Sequence, residues 1–316
     1  MLRPHQYPLE RSPLFRLRSK AKLANLLHFS VSELVSLSEN PTYNVFLTSD
    51  KGKKIRQIEK PIGQLELVHK RVQNLLSRIV APSYLYSGKK NLSYIDNAKS
   101  HLQSGFFLSL DIQSYYPNSK IEYVFRFFHY KMLMSEDMAW LISKLLTYDG
   151  HIPTGSQLSQ SIAYWAYSTL FDRIHKLADS KGFLFSLYVD DITFSSSTSI
   201  PRSFQSNVES EIRSFKLSIK ETKVKRGAKK HFKVVTGCAI TPLKEIAAPN
   251  RLRKKINDTM TKYPSINLIP AREMLSFIGQ IEAARLIEPK FFDAVYGKLK
   301  TLRPAIPVKR FRKHRK

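Results

Sequence analysis

Two aspartates stand side by side at positions 190 and 191, inside FLFSLYVDDITFSS, a stretch otherwise made of apolar, β-branched and small residues. Two charges next to a core cost several kcal/mol unless something compensates them. Hard divalent cations such as Mg²⁺ prefer carboxylate oxygens, and two such ions can stabilise the attacking and leaving oxygens of a phosphoryl transfer. A third carboxylate, Asp111, ends the run GFFLSLDI. Three carboxylates meet the demand of a two-ion site if the strand of Asp111 lies beside the aspartate pair. The plain alternative makes Asp190 and Asp191 a turn and Asp111 a strand end.

The surrounding elements must bring these groups together. In GFFLSLDI the alternation puts Phe106, Leu108, Leu110 and Ile112 on one strand face and Asp111 on the other. The aspartate pair reads as the turn of a hairpin between two short strands. A helix carrying Leu65, Val68, Val72, Leu75, Leu76 and Ile79 precedes them, and Pro82 stops it. Residues 121–147 read as helical. After Asp149-Gly150 and Pro153-Thr154-Gly155, a second long helix runs to about Gly182 with a stripe of Leu158, Ile162, Ala166, Leu170, Ile174 and Leu177. A helix with Phe204, Val208, Ile212 and Phe215 follows, then a strand at FKVVTGCAI. From Ala248 onward the chain reads as helical, with Asn250 as a cap, Pro270 in a first turn and a last helix from Phe291 to Leu302. The order strand, helices, hairpin, helix, strand is that of an α+β sheet with helices on one face and the carboxylates on the other.

Composition narrows the partners. The 316 residues, 42% of them hydrophobic, suffice for two or three subdomains. Lys and Arg number 52 against 25 Asp and Glu, a net charge of +27 that points to a polyanion, foremost nucleic acid. No apolar run approaches the ~20 residues needed to span a bilayer, and the opening MLRPHQYPLERSPLF has no signal-peptide core, so no membrane partner and a cytoplasmic location are expected. The lone Cys238 excludes an internal disulfide and a multi-cysteine zinc site. From Lys298 to Lys316 there are nine Lys and Arg, no acid, and one interleaved ring, Phe311, a composition suited to phosphate contacts with stacking.

With Tyr188-Val189-Asp190-Asp191 and Leu110-Asp111-Ile112 followed by Tyr115-Tyr116-Pro117, the chain resembles the reverse transcriptases, whose motifs are an aromatic-x-Asp-Asp hairpin and a preceding Leu-Asp-Ile before two aromatics and proline. The resemblance covers about Ile55 to Gly237. It implies a right-hand polymerase: an N-terminal region and fingers over residues 1–104, a palm over 105–240, and a helical thumb with basic tail over 241–316. It also implies Asp111, Asp190 and the Ile112 carbonyl as ligands of two Mg²⁺ ions, Asp191 as a supporting catalytic and metal carboxylate, and Tyr116 as the ring that excludes a ribose 2′-hydroxyl so that dNTPs are taken. Arg56 in IRQIEKP and Lys223 would face the triphosphate. Lys223 is also one of seven Lys and Arg in the basic run 220–233. Gly155 aligns with the family's Pro-Gln-Gly motif at the nucleotide, but Thr154 stands where glutamine is usual, and Gln157 and Gln160 where prolines are.

Two further strings, Asn97-Ala98-Lys99-Ser100-His101 and Val235-Thr236-Gly237, resemble marker motifs of the bacterial retron reverse transcriptases. That resemblance makes Asn97, His101, Val235, Thr236 and Gly237 candidates for RNA binding. It implies a cognate structured non-coding RNA, priming from the 2′-hydroxyl of an internal guanosine, a branched RNA-linked msDNA product, and a part in anti-phage defence with an effector protein and host RNase H. Diversity-generating and abortive-infection reverse transcriptases stand as the alternative, as does a non-catalytic RNA-binding protein of polymerase shape.

Overall fold

The computed structural model describes residues 6–48, 55–228 and 232–302. Helices α1 (Lys20–Leu27) and α2 (Val31–Glu39) lead into the hairpin β1 (Tyr43–Thr48) and β2 (Arg56–Pro61). Then come α3 (Gly63–Leu76), α4 (Tyr94–Ser100), β3 (Phe106–Asp111), α5 (Tyr115–Asn118), α6 (Ile121–Arg126), α7 (Glu136–Leu146), α8 (Ser159–Ala166) and α9 (Ser168–Asp179). The hairpin β4 (Leu184–Tyr188) and β5 (Asp191–Ser196) precedes α10 (Arg202–Ser214) and β6 (Lys225–Gly227). The chain continues through β7 (Lys233–Val235), β8 (Cys238–Ile240), β9 (Ile246–Ala247), α11 (Asn250–Lys262), α12 (Ala271–Ile287) and α13 (Asp293–Leu302).

The described residues form two compact units, one within 6–93 and 104–228, the other within 94–103 and 232–302. In the first, an antiparallel sheet is ordered β4-β5-β3-β6. Leu108, Leu110, Ile192 and Phe194 leave one face of it and are fully buried with Ile162, Leu170 and Ile174 of α8 and α9, as the strand and helix periods predict. Both long helices expected from sequence are broken. The first passes from α6 into a π turn at Phe127–Lys131 and a bend before α7; the second divides at Tyr167, whose backbone (φ −108°, ψ 14°) leaves helical geometry between α8 and α9. The apolar stripe continues through both breaks because each half still faces the same core.

The second unit holds α4, the small sheet β7-β8-β9 and helices α11 to α13, the helices sharing a core of Ile256, Met274, Phe277, Ile281 and Leu299. The division after Ala228 falls short of the boundary expected at residue 240, and α4, expected with the N-terminal region, belongs to the second unit. The cause is strand pairing: β7 turns back onto β8, and α4 packs on β8, so neither extends the larger sheet. Asn250 is the first residue of α11 and makes no cap, since Pro249 holds that place; Pro270 likewise precedes α12. Among the described residues no helix is long and apolar enough to cross a membrane.

Gly155 owes its identity to this packing. Its N–H donates to the Glu59 carbonyl of β2 at 3.1 Å, and a Cβ there would meet that carbonyl oxygen at 2.7 Å. The crowding atom is backbone, so it cannot rotate away. We expect Gly155→Ala to lose about 1–3 kcal/mol by overpacking, read as a lower melting temperature; an unchanged melt would show that the approach of β2 does not require glycine.

Candidate active site

The strand register builds the site. Across the β3–β5 pair Asp111 is opposite Asp191, and directly paired residues of an antiparallel pair project from the same face. The β4–β5 hairpin closes between Tyr188 and Asp191 through Val189 and Asp190. Asp190 is tied to the end of β3 by its carbonyl, which accepts the Ile112 N–H at 3.1 Å; the Asp111 carbonyl accepts the Lys220 N–H at 2.8 Å. Three carboxylates therefore gather at one end of the sheet.

Their electrostatics follow from that crowding. Burial, then the charges of Asp190 and Asp111, push the Asp191 carboxyl up to about 6, against the pull of Lys223 and Lys225. Asp190 is raised by burial and by Asp111, with Lys223 and Arg56 acting the other way. The Lys223 ammonium donates to the Asp111 carboxylate. Burial disfavours its charge, but that hydrogen bond and the three carboxylates outweigh burial, and its pKa rises. Lys223 thus pairs directly with one member of a cluster that carries three negative charges when ionised.

Asp111, Asp190 and Lys223 line a cleft of about 550 Å³ with Arg56, Ile112, Tyr116, Thr154 and His151. Tyr116 stacks on Tyr115 with ring centroids 5.8 Å apart, and burial together with the Asp190 charge pushes its hydroxyl up to about 12, so it stays protonated. Of the residues singled out in the sequence, Asp111, Ile112, Asp190, Arg56, Tyr116 and Lys223 share this cleft, and Asp191 borders it through its pairing with Asp111. Gly155 is not among the residues lining it; its α-carbon closely approaches the backbone of β2.

Sequence reasoning missed Glu59. It is 2% exposed, accepts from the Thr154 N–H and hydroxyl at 2.9 and 3.1 Å and from the Gln57 amide at 3.0 Å, and lies 3.5 Å from His151. Thr154, in the place where the family pattern has glutamine, therefore works as a clasp between the cleft wall and β2. Nothing in the basic string around residue 59 marks that glutamate as buried.

The retron marker residues come together in the second unit, as interior groups. The Thr236 hydroxyl donates to the Tyr94 carbonyl at 2.8 Å and accepts from the Asn97 amide at 3.3 Å, while Asn97 and His101 are fully buried. Thr236 and Gly237 both take positive φ (44° and 85°) in the tight turn between β7 and β8. Expected as RNA contacts, Asn97, His101 and Val235 are enclosed, because α4 is locked onto this turn; Gly237 is the member left exposed.

The arrangement gathers three carboxylates and two cations at one end of the sheet. The chain has the α+β fold of right-hand polymerases: it is similar to a Candida albicans telomerase solved in complex with a TWJ fragment of telomeric RNA (TM-score 0.54, 12% identity, 87% of this chain and 58% of that one). It is also similar to an apo telomerase from Candida tropicalis truncated from its C-terminal domain (TM-score 0.50, 11% identity, 70% of this chain and 61% of that one). Curated relatives narrow the class. The chain is 28% identical over 159 residues to the Retron Ec86 reverse transcriptase of Escherichia coli, 48% of each chain. It is 28% identical over 192 residues to the Retron Se72 reverse transcriptase of Salmonella heidelberg, 59% of this chain and 51% of that one. The chain thus spans about half the length of the curated relatives it matches. No family model matches it.

Without divalent ions the Asp191 charge strains the folded state. Its pKa is raised from 3.8 to about 6, so folding takes up a proton between those values, and stability falls as pH rises through that window. We expect Asp191→Asn, in chelator at pH 8, to gain on the order of 1–2 kcal/mol after allowance for solvent screening. The gain should fade as pH falls below about 6 toward 4. Equal melting temperatures for the two proteins at pH 8 would contradict this reading.

Proposed function

We propose that this chain is an RNA-directed DNA polymerase of the retron kind. The observation that carries the reading is the gathering of Asp111 and Asp190 with Arg56, Tyr116 and Lys223 in one cleft, with Asp191 at its border through its pairing with Asp111, on a polymerase fold. Similarity to named retron reverse transcriptases supports it.

Among the described residues no set of three or more His, Cys, Asp or Glu side chains is gathered as a ready-made metal cage. The donor set nonetheless fits Mg²⁺: its oxygens are hard, and two of its carboxyls have raised pKa values that a divalent charge would lower. Asp111, Asp190 and the Ile112 carbonyl would hold two ions, with Asp191 in support; bound there, they would stabilise the attacking hydroxyl and neutralise the departing pyrophosphate. The protein's own groups do the rest. Arg56 presents a planar guanidinium to phosphate oxygens from the cleft wall, and Lys223, which keeps its proton, faces the same space as a charge partner or a donor to pyrophosphate. Tyr116, packed against Tyr115 with the rings inclined by 28°, forms the surface on which a deoxyribose rests and a 2′-hydroxyl clashes.

The finer reading follows the relatives. The template is a cognate structured RNA, synthesis starts from an internal guanosine 2′-hydroxyl, and the product is RNA-linked msDNA. An effector protein and host RNase H complete a defence role. The formal charge of +27 suits a chain that holds a long polyanion throughout.

Primer extension on an RNA template with Mg²⁺ and dNTPs tests the reading. Asp190→Asn should lower the rate more than about 100-fold, the equivalent of roughly 3 kcal/mol of lost charge stabilisation. Tyr116→Ala should retain synthesis and admit ribonucleotides about 10- to 100-fold more readily. Undiminished synthesis by Asp190→Asn would overturn the site assignment, and unchanged sugar selection by Tyr116→Ala would remove the gate. Purified protein carrying no RNA-linked DNA from its native locus would refute the retron assignment alone.

A further inference from the structure

The catalytic turn is strained. In the two-residue turn of the β4–β5 hairpin, Val189 has φ +60°. A two-residue hairpin with positive φ at its first central position favours glycine there, and a β-branched residue in that region is an outlier. Left to itself the turn would relax toward negative φ. That relaxation rotates the peptide joining Val189 to Asp190 and carries the carboxylate with it.

One side chain from outside the hairpin grips the peptide unit that enters this turn, the one joining Tyr188 to Val189. The Ser87 hydroxyl, on a residue 4% exposed, accepts the Val189 N–H at 2.9 Å. In a two-residue hairpin the ladder bond is made by the residues flanking the turn, so the N–H of the first turn residue needs a partner from elsewhere. Ser87 is itself held on both sides. Before it, the chain runs parallel to β4: the Leu187 N–H donates to the Tyr84 carbonyl at 2.8 Å, and the Tyr86 N–H donates to the Leu187 carbonyl at 3.0 Å. After it, Gly88 turns with φ +68° against the Gln160 side chain of α8. The hydroxyl thus comes from a stretch fastened to the sheet.

We propose that Ser87 is a positioning residue for templated nucleotide addition: by accepting the Val189 N–H it holds the strained hairpin turn in the conformation that places Asp190. The proposal rests on the polymerase reading. Ser87 does not line the cleft of Asp111 and Asp190; it lines another with Arg78, Lys89 and Gln160, so removing its hydroxyl leaves the lining of the aspartate cleft intact. The loss should therefore fall on the rate of the chemical step and not on nucleotide affinity.

Single-nucleotide incorporation on an RNA template, titrated with dNTP, separates the two quantities for the full-length wild type, Ser87→Ala and Ser87→Thr. We expect Ser87→Ala to lower the maximal rate about 10-fold, the scale of one hydrogen bond, with the half-saturating dNTP concentration within about 2-fold of wild type. Ser87→Thr, which keeps a hydroxyl, should recover most of that rate. Amide hydrogen exchange gives a readout independent of activity: a peptide spanning residues 184–196 should exchange faster in Ser87→Ala while the rest of the chain keeps its protection. A wild-type rate in Ser87→Ala, a loss confined to dNTP affinity, or unchanged exchange over 184–196 would each overturn the role. A wild-type protein without templated incorporation overturns the polymerase reading itself, and with it this role.

Discussion

The structure is organised around like charges held together against their repulsion. The β3–β5 register sets Asp111 across from Asp191, and the hairpin turn adds Asp190 beside them. A shift of one residue in that register would send Asp191 to the opposite face of the sheet, into the layer occupied by Ile192 and Phe194. Register is strongly specified wherever one face is buried, so the fully buried Leu108, Leu110, Ile192 and Phe194 fix the position of the carboxylates. Core packing supplies the force that keeps the charges together.

Compensation is built in outward steps. Lys223 neutralises Asp111 directly, and Lys225 on β6, the neighbour of β3, moderates Asp191 from a distance. Arg56 acts on Asp190 from β2, which is itself clamped by Glu59, Thr154 and the close approach of Gly155. The burial of Glu59 thus helps to hold the strand from which Arg56 acts on Asp190, although Glu59 belongs to no motif. The residual imbalance, visible in the raised pKa values of Asp190 and Asp191, is the demand that divalent ions would meet.

Much of this was legible in the sequence, because the informative signals are local. The alternation in GFFLSLDI and the apolar runs around the aspartate pair specify two strand faces and a hairpin, and the stripe from Leu158 to Leu177 specifies a buried helical face. What escaped were consequences of long-range contact. The breaks at Phe127–Lys131 and Tyr167 leave the apolar period intact, so periodicity passes over them. That β7 pairs with β8, and not with the larger sheet, depends on a choice between partners far apart in the chain. Asn97 and Thr236 are 139 residues apart and recognisable as a motif, but only their mutual hydrogen bond shows them enclosed. Ser87 carries no signature at all, since a serine in a loop is ordinary until the donor it accepts from is known.

The central claim is that the carboxylates of Asp111, Asp190 and Asp191 form one divalent-ion site. Melting the metal-free protein at pH 8 while titrating Mg²⁺ tests it without relying on turnover, since a ligand that binds only the folded state stabilises it by about 2.7 kcal/mol at 100 times its dissociation constant. The account predicts that the wild type melts progressively higher with Mg²⁺ and that Asp190→Asn loses this response. A wild type indifferent to Mg²⁺, or an Asp190→Asn protein stabilised to the same degree, would contradict it.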